Sequence, residues 1–243
     1  MPHLRLPAGT DVAEMALFDT DALPPSSPAE SAVAALAASN QLVRFPTGSD
    51  GGYLLHLYVD ESVPADLQRF CLAEDRLSGV FCTSQGNIAF GGLESTCTSF
   101  KPNRHIRSDG AIDPGEYSYN AFRTDFPDEL IEEAVRVERT SGERWLSRAP
   151  VILVLAAMAT GVGLAVSQRF LFAGMVWLAG YFGVKWLVRI PTYRALEARR
   201  ELAQLEFPSI VVEMRSNPSI ERTSPGKPAA AGSPHVDVGG PPK

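Results

Sequence analysis

The chain has three cysteines in 243 residues, Cys71, Cys82 and Cys97, which form no CxxC pair and share no Cys/His ligand spacing. A disulfide framework needs paired thiols and a zinc site needs clustered ligands, so the thiols are expected to be ordinary, reduced and half-buried. Histidine is as scarce: His3 and His235 fall in the terminal segments, which leaves His56 in an apolar run and His105 in a polar one. There is no HExxH pair and no nucleophile-elbow pattern, and "GNIAFGG" lacks the lysine and hydroxyl residue that a P-loop requires. No catalytic residue, metal or cofactor is expected, and the expected class is a non-enzyme.

Positive charge is also in deficit. Asp and Glu number 28 against 22 Lys and Arg, a formal net charge of -6, which argues against a general nucleic-acid binder. The opening "MPHLRLPAGTDVAEMALF" has no apolar stretch leading to a small-residue cleavage site, so it does not read as a secretory signal. The N-terminal part is expected to stay in the compartment where it is made. Met15 is an alternative start to Met1, in which case the residues before it would have no structural role.

Charge is missing altogether from Ala149 to Val166, "APVILVLAAMATGVGLAV". As a helix these residues extend about 27 Å, close to a bilayer core. A second run, Phe170 to Val188, carries only Lys185, and three polar residues, Ser167, Gln168 and Arg169, separate the two. So short a connection makes the helices antiparallel neighbours. Arg136, Arg139, Arg144 and Arg148 precede the first run, and Lys185, Arg189, Arg194, Arg199 and Arg200 end or follow the second, so both termini are expected on the cytoplasmic side. The aromatic residues Trp145, Trp177, Tyr181 and Trp186 include two placed near that interface, where Lys185 can snorkel. No Asp, Glu or His lies inside either run, which disfavours a transport path. Ala157 with Gly161, Ala159 with Gly163, and Ala179 with Gly183 have the small-xxx-small spacing of close helix packing, within the hairpin or in a homo-oligomer.

Residues 1–40 are rich in breakers and are expected to be mostly disordered, apart from a short helix in "PAESAVAALAASN" capped near Ser27 and ending at Asn40. Residues 41–126 alternate short apolar stretches with Gly, Asn, Asp and Pro turns, the pattern of a small antiparallel sheet or sandwich, with one helix expected over residues 64–74. A juxtamembrane helix is expected over 127–148, with a break at Ser141 and Gly142, then the membrane hairpin at 149–190, a cytosolic helix at 191–207 and a disordered tail at 208–243. The sum is an α+β membrane protein in which a small, mostly antiparallel β-rich cytosolic domain is followed by a two-helix transmembrane hairpin. The Ala-, Arg- and Pro-heavy composition fits a GC-rich bacterial genome, hence the inner membrane.

Two features of residues 41–126 suggest contact surfaces. "KPNRHIR" concentrates positive charge at Lys101, Arg104, His105 and Arg107, which suits an acidic partner or lipid headgroups. Alternation puts Tyr117 and Tyr119 on one face of a strand, which would favour a protein partner if that face is exposed. The leading functional expectation is a membrane-anchored, non-enzymatic module that binds a protein partner, as an adaptor or a toxin-immunity protein. A hairpin that oligomerises and acts on the bilayer is one alternative. The other is a membrane-tethered hydrolase using His105 with Asp109, Asp113 or a cysteine.

Overall fold

The computed structural model describes residues 4–26, 30–101, 103, 105–138 and 140–217. Their strands form two facing sheets. The five-stranded sheet runs in the order β1 (Leu4–Thr10), β4 (Gly51–Val59), β9 (Ile210–Ser216), β8 (Gly115–Arg123), β5 (Leu77–Thr83). The four-stranded sheet runs β3 (Leu42–Pro46), β2 (Glu14–Asp19), β6 (Asn87–Gly92), β7 (Arg107–Ala111).

The core follows from the two-residue strand period. Leu55, Leu57 and Val59 of β4 and Ile210, Val212 and Met214 of β9 point inward, toward Met15, Leu17, Val43, Phe45, Ile88 and Phe90 of the facing sheet. Each such buried side chain stabilises the fold by roughly 1.5–3 kcal/mol. The outer faces are covered as well. Helix α1 (Glu30–Ala38) lays Val33 and Leu36 on Ala16, Phe18, Leu42 and Ala89. On the other sheet Val63 packs on Tyr58 and Val211, with Leu67 of the short helix α2 (Ala65–Gln68) beside them. Buried on both faces, the stretches Leu54–Val59 of β4 and Ile210–Val212 of β9 are those of central strands.

Several expectations are corrected here. Residues 4–19 are structured rather than disordered, and the residues ahead of Met15 supply the whole of β1, whose Leu6 and Ala8 lie in the core. The tail from residue 208 begins with β9, a central strand. Since β9 pairs parallel to β4 (Leu55 opposite Ile210) and antiparallel to β8, the sheet is mixed. The helix expected over 64–74 is reduced to the four residues of α2. Ser27 and residues 218–243 lie outside the described residues.

Helix α1 ends as expected at Asn40, whose φ of 59° gives the left-handed turn of a Schellman cap: Gln41 N–H donates to Leu36 O and Asn40 N–H to Ala37 O. The same motif closes the helical hairpin. Gln168, at φ 57°, lets Arg169 N–H reach Leu164 O and its own N–H reach Ala165 O.

The remaining helices all lie between β8 and β9 in sequence: α3 (Asp128–Val135), α4 (Ser141–Val166), α5 (Phe170–Leu187) and α6 (Pro191–Gln204). Because Arg123 of β8 pairs directly with Ile210 of β9, this helical segment is an insertion into a strand-to-strand connection. Helix α4 starts at Ser141, where Thr140 Oγ1 accepts the Glu143 N–H at 3.2 Å; the break falls just ahead of Ser141 and Gly142.

Candidate functional site

Two features distinguish this chain from a plain sandwich: the joint between the sheet and the helical hairpin, and the hairpin's own surface. At the joint, α6 is clamped to the start of α4 and the segment before it. Arg199 donates to Glu143 Oε1 at 2.6 Å and to the Val137 carbonyl at 3.2 Å. Arg200 forms ion pairs with Glu138 and, at 2.9 Å, with Glu197. Burial by itself would raise the Glu138 carboxyl, but a backbone hydrogen bond and the side chains of Arg200 and Ser147 outweigh it and hold the carboxyl below its usual range. Burial by itself would lower the Arg200 guanidinium, but Glu138 and Glu197 outweigh it and push it up.

The base of this stalk sits on the outer face of the five-stranded sheet. His56 Nε2–H donates to the Leu205 carbonyl at 2.8 Å, and Arg5 binds both Glu206 oxygens, at 2.8 and 3.1 Å. Phe126 stacks between Phe70 at 4.5 Å and Phe207 at 5.2 Å, so the entry to α3 and the exit from α6 are packed together. A cleft of about 320 Å³ remains among Arg5, His56, Arg69, Phe70 and Phe207. Sequence reasoning did not anticipate the clamp, although Thr140-x-x-Glu143 and the Arg199-Arg200 pair were both present as signals.

The α4–α5 hairpin packs through small residues. A Cβ on Gly180 would lie 2.7 Å from the Ala157 methyl and one on Gly183 2.8 Å from Leu153, while one on Gly161 would collide with the Trp177 indole. Ala157, Gly161 and Gly183 therefore serve the hairpin's own contact, whereas Ala159, Gly163 and Ala179 are exposed and Gly163 faces open space. Both helices are long and apolar enough to cross a membrane. Ile152, Leu155, Met158, Phe170, Leu171, Phe172, Leu178 and Phe182 are all exposed on them. Soluble surfaces do not ordinarily carry so large an apolar area.

The expected contact residues do not come together. Arg107 is only 7% exposed, pairs with Asp109 at 2.6 Å, and stacks over Phe18 at 5.3 Å, so its charge serves the interior. This removes it from the positive surface formed by the exposed Lys101 and His105, and Arg104 lies outside the described residues. It also occupies the Asp109 carboxylate considered for a hydrolytic dyad. Tyr117 is 2% exposed and donates to the Asp113 carbonyl at 2.5 Å, while Tyr119 packs against the same core. The tyrosine face is thus the core face, and burial pushes both hydroxyls up in pKa. All three cysteines are free; Cys97 is buried, and burial also pushes the half-buried Cys71 and Cys82 thiols up. Among the described residues no three His, Cys, Asp or Glu side chains group to hold a metal ion.

The two edges of the sandwich differ. At one, β1 lies against the start of β7: Gly9 N–H donates to Ile106 O at 3.4 Å, and Ser108 hydrogen-bonds the Pro7 carbonyl. Gly9 is required there, since a Cβ would lie 2.6 Å from the His105 carbonyl oxygen. The opposite edge is open. Between the two sheets there, among the described residues, one backbone bond is formed, from Cys82 N–H to Asn40 O at 2.7 Å. At the other end of this edge, by the start of β5, is a cleft of about 210 Å³ lined by Phe45, Arg76, Leu77 and Phe122.

No protein-family model matches the sequence, and no curated protein matches it significantly. Two solved structures show a distant likeness. Crocagin biosynthetic gene J is 17% identical, with a TM-score of 0.35, over 50% of this chain and 75% of its own. ComJ from Bacillus subtilis, an inhibitor of the DNA-degrading activity of NucA, is 11% identical, with a TM-score of 0.32, over 51% of this chain and 82% of its own. At these scores the likenesses decide neither fold nor function.

Proposed function

We propose that this protein is a membrane-anchored, non-enzymatic binding module: the α4–α5 hairpin crosses the inner membrane twice, and the β-rich domain recruits a protein partner on the cytoplasmic side, as an adaptor or toxin-immunity protein does. The observation that carries the anchor is the insertion itself. A helical pair of bilayer length, apolar on its outward faces, is tied at both ends to neighbouring strands of one sheet. Such an anchor holds the sandwich at a fixed distance from the membrane, unlike a flexible terminal tether.

The surface offered to the partner is the open edge at β5. Cys82 N–H points out of the sheet, and alternate residues share that direction, so Val80 and Ser78 also present backbone N–H groups beyond the sheet. Leu77, Phe45 and Phe122 add an apolar pocket for a side chain of an added strand. The chemistry that could suggest catalysis is engaged in architecture: His56 with Leu205, Arg107 with Asp109, Tyr117 with Asp113.

The test is purification of the full-length protein from membranes in mild detergent, beside Val80→Pro, which removes one outward N–H at an edge where proline is tolerated. A stoichiometric protein retained by the wild type and lost from the variant, with an unchanged thermal transition, supports the reading. Equal retention by both moves the contact away from β5, and the absence of a retained protein from either counts against partner binding. A second reading, a bilayer-acting oligomer, is favoured by the exposed Ala159 and Gly163. Crosslinking in native membranes that yields monomers alone removes it.

A further inference from the structure

The stalk end of the hairpin combines charge and aromatic rings in a way that anchoring alone does not require. From residue 144 to residue 194 the chain contains no Asp or Glu, and Arg144, Arg148, Lys185, Arg189 and Arg194 cluster at the two ends of that span. All five are exposed, and none forms an ion pair among the described residues. The nearest carboxylates in sequence are engaged elsewhere: Glu143 by Arg199, and Glu138 and Glu197 by Arg200. The clamp neutralises the acids that could otherwise quench these cations.

Helix pairing brings the cations to one level. The contacts of Gly161 with Trp177, Ala157 with Gly180 and Leu153 with Gly183 step four residues back along α4 for each three forward along α5. The next step reaches Ala149 and Trp186, and Ala149 and Leu187 are both buried there. Arg148 and Arg189 thus sit at the same end of the hairpin as Lys185, whose ammonium lies 4.8 Å from the Tyr181 ring. Trp145 and Trp186 are exposed at this level, 63% and 69%. Indole rings flanked by exposed guanidinium groups match the boundary between acyl chains and phosphate.

We infer that this belt binds the headgroups of anionic phospholipids, selecting them from the surrounding bilayer. The inference rests on the spanning reading above and adds a ligand to it. Phosphate diesters accept paired N–H bonds from guanidinium, which favours arginine here, and four of the five cations are arginine.

The test uses full-length protein reconstituted in vesicles of phosphatidylcholine with a minor fraction of phosphatidylglycerol, one lipid or the other carrying dibrominated chains. Quenching of tryptophan fluorescence gives the relative association of each lipid, and Trp177→Phe restricts the signal to Trp145 and Trp186. The expected result at low salt is a preference for phosphatidylglycerol of roughly five-fold, reduced toward one in 1 M salt and in an Arg144→Gln, Arg148→Gln, Arg189→Gln variant. Strong but equal quenching by both lipids would overturn the headgroup preference while leaving the anchor intact. Quenching by neither would overturn the spanning reading itself, and the inference with it.

Discussion

Arg199 Nη2 and Glu143 Oε1 meet at 2.6 Å, although 56 residues and the whole hairpin separate them. The contact closes the stalk: the helix entering the hairpin and the helix leaving it are held together where they join the sandwich. Both side chains are partly shielded, 27% and 17% exposed, so the pair is screened less than a surface ion pair. A double-mutant cycle on Arg199→Ala and Glu143→Ala is expected to give a coupling of about 1–2 kcal/mol, read from thermal unfolding in mild detergent. Additive losses would mean that the two side chains act independently.

The second ion pair of the stalk gives a pH dependence with a defined sign. The Glu138 carboxyl is held below its ordinary value of 4.5. Its contribution is therefore complete above the unfolded value and is lost as pH falls through the lower folded one. The difference in unfolding midpoint between wild type and Glu138→Gln is expected to be constant from neutral pH down to about 5 and to shrink below that. A difference that grows on acidification would reverse the sign assigned to this carboxyl.

Tyr117 separates packing from recognition. Its hydroxyl donates to the Asp113 carbonyl and its ring is in the core. Tyr117→Phe is expected to cost roughly 0.5–1.5 kcal/mol and Tyr117→Ala about 3–5 kcal/mol in denaturant unfolding. Neither the Phe variant's partner retention nor its membrane association should change. A Phe variant that folds with native stability and loses a partner would restore the tyrosine as a contact residue.

What could be read from the sequence divides by the range of the interaction. The strands containing Tyr53, Phe81 and Phe90, the helix ending at Asn40 and the hairpin turning at Gln168 all carry local signals: alternation, turn chemistry or an uninterrupted apolar run. The strand from Leu4 to Thr10 contains Pro7 and Gly9, which locally read as breakers; both are tolerated because β1 is an edge strand pressed on the His105 backbone. "IVVEMRS" has the β-branched start of a strand, yet its partner β4 begins more than 150 residues earlier, so proximity in sequence offered no pairing. The charge cluster at Lys101–Arg107 misled for a related reason: at Arg107 a strand begins, and the first residue of β7 is buried on the outer face of its sheet against Asp109 and Phe18.

Because the hairpin is an insertion, it should be removable provided that the strand following it is kept. Arg123 and Ile210 are already paired, and Thr124 N–H donates to Ser209 O at 3.2 Å, so a short loop can join β8 to β9 directly. Replacing residues 128–204 with a short Gly/Ser linker keeps Phe126 against Phe207, the Leu205 carbonyl on His56, and Glu206 on Arg5. The product is expected to be a soluble, cooperatively folding sandwich with strand-dominated circular dichroism, since its core residues all lie outside the deletion. Removing residues 210–216 instead takes out the strand between β4 and β8, with Ile210, Val212 and Met214 from the core, and is expected to abolish folding. If the linker variant aggregated while the β9 deletion, extracted in mild detergent, remained folded, the sheet assignment of β9 would be wrong, and the hairpin would have to be an integral part of the core.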